Sequence, residues 1–277
     1  MATWLITGCS TGLGRALALA VLDHGDTAVV TARDVSSVQD LADRYPGRAL
    51  AEALDVTDSD RVSEVVAAGI DAFGGIDVLV NNAGYGYRAA VEEGEIADVQ
   101  RLFDTHFFGT VALIKAVLPS MRERRSGTII NLSSIGATVT AAGSGYYSAA
   151  KSAIEGMTAG LRKEVAPLGI TAFVVEPGAF RTDFSGRSLT ASATVIDDYA
   201  ETAGKRRPEN DTSSGTQPGD PAKAAEAIYS VVGAGDAPEL LLLGRDAVAN
   251  YRTALTERLE SAERWRQVSE STDIDAT

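Results

Sequence analysis

The chain of 277 residues has one cysteine and two histidines, and these shortages exclude several kinds of protein. A single thiol, Cys9, cannot form an internal disulfide, and so few sulfur and imidazole groups cannot build a zinc cluster. We therefore expect no metal site, and we expect a reducing compartment, the cytoplasm.

Basic residues are also in the minority, since 25 Lys and Arg stand against 38 Asp and Glu and give a formal net charge of −13. Such a surface repels polyanions, so we expect neither a nucleic acid nor an anionic membrane as a partner. Long apolar runs are missing too, because none approaches the ~20 residues that a membrane span needs. The N-terminus has no basic region followed by an apolar stretch, and we expect no targeting segment.

What the sequence does contain is an alternation of short apolar runs with longer stretches of helical periodicity, which is typical of a parallel α/β sheet. The predicted strands are residues 4–7, 28–31, 49–54, 78–81, 128–132, 171–175 and 240–243. The predicted helices are residues 13–23, 35–44, 59–73, 98–124, 147–166 and 221–233. We expect a single domain with a Rossmann-type, doubly wound parallel sheet of about seven strands, whose ligands bind at the carboxyl ends of the strands.

Two segments depart from this alternation. Residues 185–220 are rich in Ser, Thr, Gly, Asp and Pro, with only a weak helical stretch at 195–202, and we interpret this long insertion as a substrate lid. Residues 246–269 have the pattern of a charged C-terminal helix, and we expect the polar tail after it to be disordered. The predicted organisation is a dinucleotide-binding catalytic domain at 1–245 and a C-terminal helix and tail at 246–277.

A glycine-rich turn follows the first predicted strand and leads directly into a helix. Glycine allows a positive φ and the close approach of a pyrophosphate, while free N–H groups at the helix N-terminus attract an anion. A tight turn that serves only packing is the alternative, and the strand–turn–helix setting argues against it. Cys9 lies inside this turn, and we expect it to be passive, since no resolving cysteine or paired histidine accompanies it. The predicted phosphate cradle consists of Gly8, Ser10, Thr11, Gly12, Leu13 and Gly14.

The spacing Thr-Gly-x-x-x-Gly-x-Gly in this turn resembles that of the short-chain dehydrogenase/reductase family, and other motifs follow in the family's order. These motifs are Asp55, Asn81-Asn82-Ala83-Gly84, Ser134, Tyr147-x-x-x-Lys151 and Pro177-Gly178. The resemblance spans about residues 3–243 and implies hydride transfer between a nicotinamide coenzyme and a carbonyl compound or alcohol. It also implies coenzyme contacts outside the cradle, at Asp55, Val56, Asn82, Ala83, Gly84, Tyr147, Lys151, Pro177, Gly178 and Thr182.

The end of the second predicted strand bears on the choice between NAD and NADP. An acidic residue there would bind a free ribose 2′-hydroxyl and repel a 2′-phosphate. Ala32 stands where NAD-preferring members of the family carry that acid, and Arg33 follows with a planar fork suited to phosphate. NADP(H) is therefore the expected cofactor. Two alternatives stay open: a shift of one residue would place the Asp34 carboxylate near the ribose, and the Arg-Asp pair could be a solvated turn.

Tyr147 and Lys151 are four residues apart on a predicted helix, so they project from one face. A nearby ammonium lowers the pKa of a phenol, and we therefore expect Tyr147 to transfer the proton near neutral pH. This spacing excludes its neighbour Tyr146. By the resemblance, Lys151 also binds the nicotinamide ribose, and Ser134, rather than Ser133, binds the substrate oxygen.

His106 stands where the family has a catalytic asparagine that supports a water in a proton relay. Histidine donates and accepts through two nitrogens and ordinarily titrates near neutrality. We interpret His106 as the fourth catalytic residue and hypothesise that activity depends on pH near its titration. Three alternatives stay open: it weakens turnover, it marks a coenzyme-binding protein with little activity, or it is a structural histidine.

The sequence thus predicts an NADP(H)-dependent oxidoreductase, of the ketoreductase kind, acting on a small to medium apolar ketone, aldehyde or secondary alcohol. The apolar preference rests on residues around the lid, namely Phe180, Phe184, Leu189 and Val195. An NADP(H)-binding sensor or scaffold is the alternative, and the intact Ser, Tyr and Lys motif argues against it. The resemblance also implies a homodimer or homotetramer formed through the helices at 98–124 and 147–166.

Overall fold

The structure is a computed structural model and describes residues 1–186, 188–207 and 215–274. Its strands are β1 (Thr3–Ile6), β2 (Thr27–Ala32), β3 (Ala49–Ala53), β4 (Val78–Asn81), β5 (Gly86–Arg88), β6 (Gly127–Leu132), β7 (Ile170–Pro177), β8 (Leu189–Ala191) and β9 (Leu240–Leu243). Seven of them form one parallel sheet in the order β3-β2-β1-β4-β6-β7-β9. The predicted doubly wound sheet of seven strands is confirmed, and every predicted strand end falls within two residues of an observed one.

Helices cover both faces of this sheet, and each predicted helix has an observed counterpart. They are α1 (Gly12–Asp23), α2 (Gln39–Arg44), α3 (Ser59–Phe73), α4 (Ile96–Phe103), α5 (Gly109–Arg124), α6 (Ile135–Thr138), α7 (Gly145–Val165), α8 (Pro221–Ala234) and α9 (Arg245–Glu270). One π-helical turn, Asp104–Phe108, joins α4 to α5, so that the two run as one long helix. Aspartates begin two of the others, because the Asp58 and Asp220 carboxylates accept hydrogen bonds from first-turn amides of α3 and α8.

Alternate residues of the central strands enter two separate cores. Trp4 and Ile6 of β1 pack with α1 and α8 on one face, while Leu5 packs with α3 and α5 on the other. Leu5 also lies between Val29 and Leu79 of the neighbouring strands. Because both faces are covered, the strands are mostly apolar and lack a regular alternation with polar residues.

The strand order reverses at β1 and β4. The chain leaves β1 toward β2 on one side of the sheet and later enters β4 on the other side. The loops that follow these two strands diverge, and a crevice opens between them at the carboxyl edge. The glycine-rich turn and the Asn82–Gly84 segment lie at this edge, where the sequence predicts a ligand.

The long helical segment Ile96–Arg124 belongs to the core. Within the described ranges, it is the one helix that length and composition alone would allow to cross a membrane. In the fold it contacts α3, α7, β4 and β6, and its residues Leu102, Leu113 and Val117 are buried. Its apolar character is therefore explained by packing inside the domain.

The segment expected to form a lid is partly anchored to the loop after β4. β8 pairs in parallel with β5, and the Ser192 hydroxyl donates a 2.5 Å hydrogen bond to the carbonyl of Glu93. Strands of three residues are too short to show a period of two, which explains why the sequence did not predict them. The predicted helical stretch at 195–202 is wrong apart from one 3₁₀ turn, Asp197–Tyr199. Residues 187 and 208–214 of the expected lid lie outside the described residues.

The predicted C-terminal helix is confirmed as α9. It begins one residue earlier and ends one residue later than the prediction. Residues 271–274, the first part of the tail that we expect to be disordered, continue from the helix in a turn. The last three residues of that tail, 275–277, lie outside the described residues.

Candidate active site

A cavity of about 1280 Å³ opens at the carboxyl edge of the sheet. The sequence-predicted site residues come from the ends of six different strands and from three helical segments, and all of them except Gly14 line this cavity. Their convergence follows from parallel strand direction, which brings every strand end to one edge.

Glycines in the predicted cradle stand where a side chain would collide with the backbone. Gly8 and Gly12 have φ of 71° and 62°, in the left-handed region. A Cβ at Gly8 would lie 3.0 Å from the Ala83 Cα, and one at Gly14 would lie 2.5 Å from the Gly8 carbonyl oxygen. Gly14 does not line the cavity. Its lack of a side chain allows the start of α1 to pack closely against the turn. The open cradle at the N-terminus of α1 fits the pyrophosphate of a dinucleotide.

Thr7, which the sequence analysis did not single out, holds the cradle to the loop after β4. Its hydroxyl accepts hydrogen bonds of 2.9 Å from the backbone amides of Asn82 and Ala83. In return, the Asn82 side-chain amide donates to the carbonyls of Thr7 and Gly8, at 2.8 and 3.2 Å. The sequence feature that could have identified Thr7 is its position directly before the first glycine of the turn.

The two residues that left the coenzyme type open differ in position. Arg33 is exposed and lines the cavity. The Asp34 carboxylate instead accepts hydrogen bonds from the Ser36 amide at 3.0 Å and the Ser36 hydroxyl at 2.8 Å. These bonds hold the pKa of Asp34 below its usual value. Asp55, on the next strand end, similarly accepts a 3.0 Å bond from the Thr57 amide and lines the cavity.

Tyr147, Ser134 and Lys151 meet in the other half of the cavity. The Tyr147 and Ser134 side chains lie side by side, since a Cβ at Gly136 would lie 3.3 Å from the Ser134 Oγ and 3.5 Å from a ring carbon of Tyr147. Ser134 also accepts a 3.1 Å bond from the Gly136 amide as the N-cap of α6. The Lys151 Nζ lies 5.9 Å from the centre of the Tyr147 ring and donates a 2.7 Å hydrogen bond to the Leu132 carbonyl. The predicted triad is therefore assembled from β6, α6 and α7.

Burial is the largest influence on the pKa values of Tyr147 and Lys151. Desolvation raises the pKa of Tyr147, with the nearby Ser134 side chain and the positive charge of Arg88 acting in the opposite direction. Desolvation also lowers the pKa of Lys151 to about 7, against a raising effect of Glu155. The expectation that Lys151 brings the pKa of Tyr147 down is thus wrong in this structure, because the lysine itself is buried and loses its charge near neutrality.

His106 occupies the π-helical turn and is 1% exposed. Its Nε2 lies 2.8 Å from the Tyr85 carbonyl oxygen and 3.2 Å from the Tyr85 amide, and its ring meets that of Tyr147 edge-on at 5.7 Å. Burial, followed by the charge of Lys151, holds the pKa of His106 well below its ordinary value. The hypothesis that it titrates near neutrality is therefore wrong. Its Nδ1 is buried and has no hydrogen-bond partner in the described part of the chain.

Gly84 makes room for this histidine. A Cβ there would lie 2.9 Å from the His106 Nδ1 and 3.2 Å from its Nε2. The glycine of the Asn-Asn-Ala-Gly motif thus positions a side chain here, as well as lining the cavity.

The residues set aside in the sequence analysis are engaged elsewhere. The Tyr146 hydroxyl donates to the Val91 carbonyl at 2.6 Å, and the Ser133 hydroxyl donates to Glu155 at 2.5 Å. Cys9 is fully buried, and burial raises the pKa of its thiol to about 12. The expectation of a passive cysteine is confirmed.

Two carboxyl groups, those of the half-buried Glu155 and the buried Glu176, lie close together behind the triad, and no motif predicted them. Glu176 of β7 is fully buried. Its Oε1 accepts a 3.2 Å hydrogen bond from Thr138, while its Oε2 has no hydrogen-bond partner among the described residues. Burial, and next the proximity of the Glu155 carboxyl group, raise the pKa of Glu176 to about 9. Glu176 is therefore protonated and uncharged at neutral pH.

The nicotinamide end of the predicted site is fastened to α9. The Asp246 carboxylate accepts a 2.7 Å hydrogen bond from the Ala179 amide, and Gly178 faces that carboxylate so closely that a Cβ would overlap it. Thr182 lies next to the cradle: a Cβ built on Gly12 would be 3.4 Å from the Cβ of Thr182.

Two further residues line the cavity near the triad and were not predicted. Arg88 of β5 is close enough to Tyr147 for its charge to lower that pKa, and Tyr85 holds His106. Among the four residues on which an apolar substrate was based, Phe180 and Phe184 line the cavity, whereas Leu189 and Val195 do not. Val195 is 58% exposed, so that part of the interpretation is wrong.

Comparison with known proteins agrees with this geometry. A model of the short chain dehydrogenase family matches residues 2–192. The oxidoreductase BOA17 of Botryotinia fuckeliana is 39% identical over 267 residues, which cover 96% of this chain and 97% of its own. A 3-ketodihydrosphingosine reductase of Bacteroides thetaiotaomicron is 38% identical over 71% of each chain. A short-chain dehydrogenase of Streptomyces avermitilis has a solved structure with a TM-score of 0.92, 44% identity and 98% coverage of both chains.

The chain belongs to the short-chain dehydrogenase family and is an oxidoreductase of that family. Solved structures that share the fold at 19–24% identity are complexes with NAD, NADH or 5-hydroxy-NADP. Nicotinamide coenzymes are therefore usual for the fold, and their type varies within it.

Proposed function

We propose that the protein is an NADP(H)-dependent oxidoreductase that interconverts a carbonyl compound and an alcohol, with Tyr147 as general acid and base. The observation that carries the proposal is the grouping of Tyr147 and Ser134 beside Lys151, in the same cavity as the glycine cradle. Two hydroxyl groups that converge on one substrate oxygen stabilise the charge that develops there.

The coenzyme preference rests on Arg33 and Asp34. Arg33 lines the cavity and offers a guanidinium to a 2′-phosphate. The Asp34 carboxylate is committed to Ser36 and does not line the cavity. This arrangement favours NADP(H) over NAD(H), with the cradle residues, Asp55, Val56, Asn82, Ala83, Pro177, Gly178 and Thr182 along the remainder of the coenzyme.

In the direction of reduction, the bound coenzyme supplies a hydride to the carbonyl carbon. The Tyr147 hydroxyl gives its proton to the carbonyl oxygen, and the Ser134 hydroxyl donates a hydrogen bond to that oxygen. Burial keeps Tyr147 protonated near neutral pH, which suits the role of proton donor. Lys151 would hold the ribose of the coenzyme. The Nδ1 of the neutral His106, which has no hydrogen-bond partner among the described residues, would accept a hydrogen bond in the relay that returns the proton.

The substrate side of the cavity favours an apolar molecule of small to medium size. Phe184 stands against the Tyr147 ring, with 5.8 Å between ring centres, and Phe180, Val139 and Ala141 add apolar wall. We propose residues 185–220 as the lid over this side. We also propose a cytoplasmic homodimer or homotetramer, to which the exposed Ile96 and Phe108 of the long helical segment contribute.

The experiment has two stages. First, NADPH and NADH are titrated into the protein, and tighter binding of NADPH is expected; tighter binding of NADH would overturn the coenzyme preference. Second, a panel of apolar ketones and aldehydes is offered with NADPH while its absorbance is followed.

Tyr147→Phe should reduce kcat by about 10²- to 10⁴-fold and leave the coenzyme Kd within about twofold. Tyr146→Phe is the matched control, because it removes the neighbouring hydroxyl, which bonds Val91 outside the triad. Tight coenzyme binding without turnover of any panel member would favour the alternative, a coenzyme-binding sensor or scaffold.

A further inference from the structure

The helix α9 extends well beyond the part of the chain that supports it. Its 26 residues correspond to about 39 Å. Ala247 is its one buried residue, and every residue from Leu255 to the end of the helix is exposed. An isolated helix as long as the exposed part, residues 255–270, is only marginally stable in water. Packing against another surface would therefore stabilise this part of α9.

An apolar stripe runs along the uncovered side of α9. Val248, Leu255, Leu259 and Ala262 follow one another at spacings of seven, four and three residues, which places them on one helical face. Val248 and Leu255 are each 43% exposed and Leu259 is 73% exposed. The described part of the chain thus covers this stripe only in part, and exposed apolar stripes of this kind ordinarily mark a contact surface.

The charges of α9 differ from those of the rest of the chain. The helix has five arginines against one aspartate and four glutamates, so it is neutral, while the whole chain has a formal net charge of −13. Two copies of the acidic protein repel each other over most of their surfaces, and they do so least along α9. The neutral helix has no excess of basic residues that would draw it to an anionic membrane.

The stripe is complementary to itself when two helices run antiparallel. With Leu259 of one chain opposite the partner's Leu255, Arg252 comes level with the partner's Ala262 and beside the partner's Glu263. Arg252 and Glu263 flank the stripe on the same edge, and equivalent edges face each other in an antiparallel pair. A two-fold axis repeats each contact, which is the isologous arrangement of symmetric dimers.

We propose that α9 pairs antiparallel with α9 of a second copy of this chain through Val248, Leu255, Leu259 and Ala262. This contact lies apart from the surface formed by α4, α5 and α7. The proposal therefore does not depend on the oxidoreductase activity.

The test measures mass by sedimentation over a range of protein concentrations. Leu259→Asp places a charge in the stripe and should lower the association state, from dimer to monomer or from tetramer to dimer. Val268→Asp is the matched control, since Val268 is also an exposed apolar residue, at 59%, on the opposite face of the same helix. Equal masses for the two variants and the wild type would overturn the proposal.

A charge exchange tests the antiparallel register. Arg252→Glu should weaken association several-fold, because it sets two acids side by side, and Arg252→Glu with Glu263→Arg should restore it. Failure of the double variant to restore association would exclude this pairing. A wild-type mass of one chain at every concentration, with α9 protected only by added phosphatidylcholine vesicles, would identify a lipid surface as the occupant and overturn the second copy.

Discussion

The two halves of the cavity are built by different physical means. In the coenzyme half, the backbone decides the geometry, because Gly8 and Gly12 take positive φ and Gly14 leaves no space for a Cβ. In the catalytic half, buried side chains decide it, because desolvation sets the proton affinities of Tyr147 and Lys151. A backbone requirement depends on a few adjacent residues, whereas desolvation depends on everything packed around a group.

The strongest test of the coenzyme half is Gly14→Ala. The new methyl group would lie 2.5 Å from the Gly8 carbonyl and closer still to the Asn82 amide, so either the cradle or α1 must move. We expect a loss of about 3 kcal/mol in the free energy of unfolding and of at least tenfold in coenzyme affinity. Thermal unfolding and coenzyme titration measure the two effects.

Gly156→Ala is the control for that change. Gly156 lies within α7, and no atom stands within 4 Å of the position of its Cβ. We expect an increase of about 0.5–1 kcal/mol in the free energy of unfolding and an unchanged coenzyme Kd. If both alanine variants bind coenzyme like the wild type, the cradle is not determined by glycine sterics.

Glu176→Gln tests whether burial governs proton affinity behind the triad. The pKa of Glu176 is about 9 in the folded protein and about 4.3 in an unfolded chain. Between about pH 4.3 and pH 9, Glu176 is therefore protonated in the folded state and ionised in the unfolded state. Its contribution therefore favours folding at low pH and is lost as pH rises, by up to about 1.4 kcal/mol per pH unit.

The measurement is the difference in the free energy of unfolding between wild type and Glu176→Gln from pH 5 to pH 7. Using the difference cancels the groups that both proteins share, including His106, which shifts in the opposite direction. We expect the wild type to lose stability relative to the variant as pH rises. A difference that stays constant with pH would show that Glu176 titrates in its ordinary range.

The smallest effect is expected for the pH profile of His106→Asn. Burial holds the pKa of His106 well below its ordinary value, so the ring stays neutral between pH 6 and pH 8. We expect kcat to fall because the bond to Tyr85 is altered, while the shape of the profile over this range remains that of the wild type. An inflection near pH 6.5 that disappears in the variant would restore the original hypothesis of a titrating histidine.

The sequence predicted most of the fold because the sheet is buried on both faces. Apolar runs without alternation located all seven of its strands, and helical periodicity located the helices between them. The pair of β5 and β8 was not predicted, because three residues on each side carry no periodic signal. The π-helical turn at Asp104–Phe108 also stayed invisible, since it differs from an α-helix only in its hydrogen bonds.

In the candidate site, too, the residues that belong to a sequence motif were predicted and those without a motif were not. Motif order predicted that Ser134, Tyr147 and Lys151 meet, and they line one cavity. Tyr146 and Ser133, which the sequence analysis set aside, donate their hydroxyl groups to Val91 and Glu155. Arg88 was missed, because it belongs to a strand too short to predict.

By itself, the sequence determined the seven-stranded sheet, the glycine cradle and the identity of the residues that meet at its edge, because each depends on local pattern or on backbone freedom. Only the tertiary structure decided that burial lowers the pKa values of Lys151 and His106, that it raises the pKa of Glu176, and that α9 leaves an apolar stripe exposed. These properties arise from burial, and burial is the sum of contacts between segments distant in the chain.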